Sequence, residues 1–315
     1  MKILHYDEVD PIEVFQLNIN ALWWSLTPAR VETYIKYDNR WSDDTFLYMV
    51  HKGKVVSQVM GLRIPTKTVD GEEMALGVAG VATHPAYQRQ GFSTILMEEL
   101  HERSRKEGIR TSFLFTRASF YAYNLYKKLG YRDISGFPKC TKRFNNKKKP
   151  KKSVLRKFRK KDVAELDKVF KQFSRDLYGH VLRQKKYFGW RFKISETLKD
   201  LLRVVETDKG IGGYILKRPS GKDLFVEEFV IPSKRTTDRV FNELERQEKG
   251  DYITAFPLAG RKQEEYIEAR GYTMDMLSWG RCMAAPLAKN LTYKQLWRLY
   301  QINEGKFCIL PLDEF

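Results

Sequence analysis

Three cysteines in 315 residues, Cys140, Cys282 and Cys308, stand far apart with no CxxC or Cys/His spacing. This excludes a disulfide framework and a zinc ribbon. The five histidines are scattered with no HExxH pattern, so no metal site is expected. No stretch approaches the roughly eighteen consecutive apolar residues of a membrane span, and the N-terminus MKILHYDEVD lacks the apolar run of a signal peptide. A cytoplasmic protein is the expectation. Acidic residues are also in deficit: 39 Asp and Glu against 57 Lys and Arg give a formal charge of +18, which draws anionic partners through a long-range field. Much of that charge is local, since NNKKKPKKSVLRKFRKK, residues 145–161, holds ten cations and no anion. With 42% apolar and 13% aromatic residues the chain is not globally disordered, and its length favours two domains.

Hydrophobic period divides the first half into elements. Helices are expected within Asp7 to Trp24 and over Pro28 to Tyr37. The segments Thr45 to His51, Lys54 to Pro65 and Glu73 to Thr83 are rich in β-branched and aromatic residues and are broken by Lys52-Gly53 and Asp70-Gly71, which predicts three antiparallel strands. A helix over Gly91 to Lys106 ends before Gly108, a strand covers Thr111 to Thr116, a helix covers Ser119 to Leu129, and one last strand runs from Arg132 to Phe144.

The basic stretch with Pro150 reads as a linker, because like charges repel and extend a chain. Beyond it the outline repeats: helix Asp162 to Ser174, hairpin strands Leu201 to Leu216 and Asp223 to Pro232, helix Thr236 to Glu248, strand Tyr252 to Phe256, helix Lys262 to Ala269. EEFVIPSKRTTDRVFNELERQEKG parallels AGVATHPAYQRQGFSTILMEELHERSRKEG, and EARGYTMDM parallels KKLGYRDIS. A tandem duplication of one fold is expected.

In the first half a strand leads through His84-Pro85 into Gln88-x-x-Gly91-x-Ser93 and directly into a helix. Backbone N–H groups of such a turn, with the open donors and positive dipole end of the helix, suit a pyrophosphate. Gly91 lets the backbone approach. Further on stands Ser119-Phe120-Tyr121-Ala122-Tyr123-Asn124-Leu125-Tyr126-Lys127-Lys128-Leu129-Gly130-Tyr131.

The first 144 residues resemble the GNAT superfamily of N-acetyltransferases, whose pattern is Gln/Arg-x-x-Gly-x-Gly/Ala, then a helix, then Asn-x-x-Ala-x-x-Leu-Tyr-x-Lys-x-Gly-Phe. Here Ala122, Leu125, Tyr126, Lys128 and Gly130 match in register, while Ser93 replaces the final Gly/Ala and Ser119 the family's Asn. The resemblance implies an α/β fold of the α+β kind: two tandem GNAT folds of the Eis-like, double-GNAT type, each a mixed, mainly antiparallel sheet flanked by helices. The expected divisions are a catalytic domain over 1–144, a linker over 145–152, a degenerate domain over 153–287 and a C-terminal tail over 288–315.

The same resemblance implies acetyl-CoA as cofactor, held by Val81, Ala82 and Thr83 on the strand, by Gln88, Arg89, Gln90, Gly91, Phe92, Ser93 and Thr94 in the loop, and by Ser119 and Asn124. Tyr126 falls on the general-acid position, where a phenol protonates the coenzyme A thiolate. Donors on the strand stabilise charge as it develops on the thioester oxygen. No acid occupies MALGVAGVAT, residues 74–83, and Glu72 and Glu73 stand at its far end. Eis-type enzymes and N-myristoyltransferases place the terminal carboxylate in the site, which makes Phe315 the candidate base ahead of Glu314 and Asp313. Trp23, Trp24, Trp41, Asp43 and Asp44 lie in the stretch that in this fold borders the acceptor.

The second half has Pro232-Ser233-Lys234-Arg235-Thr236-Thr237 at the loop position, without glycine, and Ile267 where the first half has Tyr126. One cofactor site per chain is expected. The aromatic segment Tyr187 to Phe192 reads as core. The expected activity is transfer of an acetyl group to a primary amine of a small molecule, amino sugar or lysine. The alternatives are an RNA- or ribosome-associated protein anchored through 147–161, without an RNP signature to support it, and a FemABX-type aminoacyl transferase, a class that usually lacks the Gln-x-x-Gly loop.

Overall fold

The computed structural model describes residues 1–41, 46–145, 153–183, 187–195, 197–246, 250–275 and 280–310. β1 (Lys2–Leu4) precedes two helices, α1 (Pro11–Leu22) and α2 (Pro28–Tyr37), each opening on a proline behind a capping side chain, Asp10 or Thr27. A meander of β2 (Phe46–His51), β3 (Lys54–Thr68) and β4 (Gly71–Thr83) follows. Its first turn places Lys52 and Gly53 at φ 52° and 76°, the paired positive values that match strand twist. Then come α3 (Phe92–Lys106), β5 (Thr111–Arg117), α4 (Tyr121–Lys128), β6 (Arg132–Gly136) and β7 (Lys139–Arg143).

The second half runs β8 (Leu155–Lys157), α5 (Val163–Phe173), α6 (Tyr187–Ile194), α7 (Leu198–Leu201), β9 (Leu202–Thr207), β10 (Gly210–Ser220) and β11 (Asp223–Val230). It continues through α8 (Lys234–Leu244), β12 (Tyr252–Ala255), α9 (Arg261–Ala269), β13 (Thr273–Asp275), β14 (Gly280–Pro286) and α10 (Tyr293–Leu299).

Two seven-stranded sheets result, in the orders β1-β2-β3-β4-β5-β14-β6 and β8-β9-β10-β11-β12-β7-β13. Each has one parallel pair, β4 with β5 and β11 with β12; the other pairings are antiparallel. The halves exchange one strand each. β14 lies between β5 and β6, and β7 lies between β12 and β13.

The single strand expected from Arg132 to Phe144 is therefore two strands in different sheets. Pro138 stands at the crossing; it has no N–H to give a ladder and ends the pairing there. The expected strand Leu201 to Leu216 is likewise two, β9 and β10, turning at Asp208-Lys209. Leu291 to Phe307 pack on the first sheet, with Tyr300 buried against Phe113 at a ring separation of 5.0 Å, while Cys308 and Leu310 enter the core of the second half.

Alternation along the strands sorts the first sheet into two faces. Leu76 and Leu114 point to α3 and α4, whereas Ala75 and Phe113 point to the side covered by α10 and the final segment. α1 and α2 cover the neighbouring part of that second side through Val14, Leu17 and Val31. Tyr187 and Phe188 are buried in the second half's core, as an aromatic core segment should be.

Candidate active site

β4 and β5 pair only from Leu76↔Ser112 to Val78↔Leu114. Beyond Val78 the strands part, because β5 continues along β14 to Gly280↔Arg117 while β4 stays with β3. Among the described residues, no strand lies against the β5-facing edge of β4 from Val81 to Thr83. A bulge opposite Val59 accentuates the parting. Gly80 sits in it at φ 55°, and a Cβ there would lie 2.7 Å from the Met60 sulfur. The Gly80 carbonyl accepts from Gln58 Nε2 at 2.9 Å, and Gln58 and Asn18 bond reciprocally at 3.0 and 3.1 Å. These buried amides, one from α1 and one from β3, fix the bulge. Sequence reasoning missed them; only the isolated Gly80 within a strand pattern signals a bulge.

Arg89 and Gly91 both take positive φ, 62° and 83°, and α3 starts at Phe92 with no side chain capping it. The first N–H groups of α3 thus open toward the cleft with the positive end of a four-turn dipole behind them. Ser93 has a role of its own. Its hydroxyl lies 2.6 Å from Thr83 Oγ1, which lies 2.8 Å from Ser57 Oγ, so a row of hydroxyls ties the helix start to β4 and β3.

Val81, Ala82, Thr83, Gln88, Arg89, Gln90, Gly91, Phe92, Ser93, Thr94, Asn124 and Tyr126 all line one cleft of about 2570 Å³. Ser119 does not: it is exposed in the turn before α4, and Phe120 and Tyr121 line the wall instead. The Tyr126 ring is buried beside Tyr131 at 6.0 Å, and its hydroxyl has no hydrogen-bond partner among the described residues. Burial raises its pKa well above the ordinary phenol value. Phe315, Glu314 and Asp313 lie outside the described residues, as do Asp43 and Asp44. Leu310 lines the cleft. Glu73 does not; it binds Arg110 at 2.5 Å and Tyr300 at 2.5 Å, at the other end of β4.

The far wall comes from both halves. Trp24, Arg30, Tyr34 and Trp41 face Arg191, Lys193, Arg218 and Glu227. The second-half residues carried no motif and were missed. Trp41 stacks on Tyr34 at 4.5 Å, while Trp23 is exposed at the mouth with φ 55°.

At the equivalent place in the second half the arrangement is closed. Ser233 caps α8 by accepting from the Thr236 N–H, and Glu228 is buried where Gly80 stands in the first half. It accepts from the Tyr214 hydroxyl at 2.6 Å and pairs with Arg183 at 3.3 Å. Arg183 in turn lies 3.7 Å from the Phe170 ring centroid. No three His, Cys, Asp or Glu side chains stand together as a metal site among the described residues. None of the described helices is long and apolar enough to cross a membrane.

Residues 5–134 match the model of the acetyltransferase (GNAT) domain. Residues 5–134 thus form a GNAT acetyltransferase domain. Among solved structures it is similar to a conserved protein of unknown function from Enterococcus faecalis V583, described as a probable N-acyltransferase (TM-score 0.68, 17% identity, 91% of this chain and 72% of that one). It is also similar to a GCN5-related N-acetyltransferase from Kribbella flavida (0.62, 18%, 91% and 72%) and to Eis1 from Mycobacterium abscessus (0.62, 14%, 91% and 74%). At these identities the likeness is one of fold, and it spans both halves. No curated protein sequence matches the chain.

Proposed function

We propose that the chain is an acetyl-CoA-dependent N-acetyltransferase that passes an acetyl group to a primary amine by direct attack on the thioester, with one donor site, in the first half. The observation that carries this reading is convergence: an uncapped helix start and a parted strand pair open into the same cleft, beside a phenol whose hydroxyl has no hydrogen-bond partner among the described residues. The N–H groups of Phe92, Ser93 and Thr94 would hold the pyrophosphate, with Gly91 giving close approach. The free edge of Val81, Ala82 and Thr83 would pair with the pantetheine arm and donate to the thioester oxygen. Asn124 replaces the contact that Ser119 does not reach.

When bound, acetyl-CoA supplies the activated acyl group. Tyr126 keeps its proton throughout the physiological range, because burial opposes the phenolate, and donates a hydrogen bond to the departing sulfur. Glu73 does not take the amine proton, because it is engaged with Arg110 and Tyr300 at the other end of β4.

Acetyl-CoA at millimolar concentration should raise the melting temperature, and free thiol should appear when a primary amine is added. A chain that acetyl-CoA does not stabilise is not this enzyme.

A further inference from the structure

The far wall of the cleft carries charge that the pyrophosphate loop does not use. α6 packs against α2 where the halves meet: Lys193 lies 4.0 Å from the Tyr37 ring centroid, and Arg40 lies 5.4 Å from that of Trp190. Two of the cations on this wall have carboxylates. Arg40 grips Asp38 through two nitrogens at 2.8 and 2.9 Å, and Arg218 donates to Glu227 at 2.6 Å.

Three others have none among the described residues. Arg30 donates to the Ser25 carbonyl at 3.0 Å and the Tyr34 hydroxyl at 3.4 Å. Arg191 has a buried Nε with no hydrogen-bond partner. Lys193 meets the Tyr37 ring. All three line the cleft.

Arg30 and Lys193 are exposed, so solvent screens their repulsion, whereas Arg191 is half-buried and its unpaired Nε carries a desolvation cost. An anion beside it offsets that cost by its charge. Its position separates it from the donor site. α3 and α4 cover one face of the first sheet, whereas α2 and α6 stand on the other, which is the side from which an amine can reach the parted end of β4.

We propose that Arg30, Arg191 and Lys193 form an anion subsite for the acceptor, so that the preferred substrate is a primary amine that also bears a phosphate or a carboxylate. This rests on the acetyltransferase reading. The anionic group docks at the α2–α6 junction and directs the amine to the acyl carbon, while the same charges repel polyamines and other purely cationic acceptors. Trp41, stacked on Tyr34, supplies an apolar wall beside the anchor.

The test compares matched amines at saturating acetyl-CoA, with free-thiol release as the readout: an amino sugar against its phosphate, an amino-acid amide against its free acid, and an aliphatic polyamine. The anionic member of at least one pair should show a kcat/KM at least tenfold above its neutral parent, and which pair responds tells phosphate from carboxylate. In R191Q/K193Q that preference should shrink to within about twofold through KM, with the dissociation constant of acetyl-CoA changed by no more than about twofold. Equal or better turnover of neutral amines or the polyamine overturns the acceptor assignment and leaves the acetyltransferase intact. Weakened acetyl-CoA binding in the double variant also overturns it, by moving these cations to the donor. If the unaltered chain binds no acetyl-CoA, the acetyltransferase reading itself falls.

Discussion

α3 and α8 follow equivalent strands in the two halves, yet one begins at Gly91 with its first N–H groups uncapped and the other begins at Ser233, whose own hydroxyl caps it. The strands differ in the same sense. β4 carries Gly80 in a bulge beside an open edge, while β11 carries Glu228, buried and bound to Arg183 and Tyr214. An uncapped helix start and an unpaired strand edge are costs that a ligand can offset. In the second half side chains make such bonds at both elements: Ser233 caps α8, and Gln263 Nε2 donates to the Phe229 carbonyl on β11 at 2.8 Å.

The largest effect should come from breaking the filled side of this contrast. Glu228→Leu strands a buried Arg183 and should lower stability by about 3–5 kcal/mol in a denaturant titration. Unchanged stability would mean that the buried network does not hold the second half together.

The first half has a different buried group, His101, whose Nε2 lies 2.8 Å from the Tyr131 hydroxyl. Burial, then the nearby Arg105, lowers its pKa from 6.5 to about 4. The unfolded chain therefore binds the proton more readily. The stability that His101 contributes is fully present above pH 6.5, declines as pH falls toward 4 and is absent below it, by an amount on the order of 3 kcal/mol. His101→Gln should flatten the stability profile across that window, as denaturant titrations at a series of pH values would read.

Tyr126→Phe removes a hydroxyl that no described residue uses, so the fold should survive, while kcat falls about 100-fold with acetyl-CoA affinity kept. A rate within threefold of the parent would remove Tyr126 from the chemistry. Gly91→Val has room for its Cβ but forces a β-branched residue to positive φ, and the strain should weaken acetyl-CoA binding about tenfold. Ser233→Ala, the matching change in the second half, should cost about 1 kcal/mol of stability or less and leave that binding alone. Equal effects of the last two on acetyl-CoA binding would erase the distinction between the halves.

The loop from Gln88 to Thr94 and the helix that follows were legible because both depend on neighbours in sequence: a glycine for positive φ, then a run with helical period. The missing glycine at Pro232 to Thr237 was legible for the same reason. Asn18 and Gln58 were not, since a pair of amides forty residues apart has no period to betray it. Arg191 and Lys193 look like ordinary solvated cations in a string of aromatic residues until α6 is placed against α2.

The sequence by itself determined the duplication, the positions of most helices and strands, and which half starts its helix at a glycine and which at a capping serine, because period, turn chemistry and capping act over a few residues. The exchange of β7 and β14 and the joining of both halves into one cleft wall were decided only in three dimensions. A strand's alternation says which faces it buries, but its neighbour is chosen by contacts more than a hundred residues away: Ala255 with Cys140, and Met283 with Leu114.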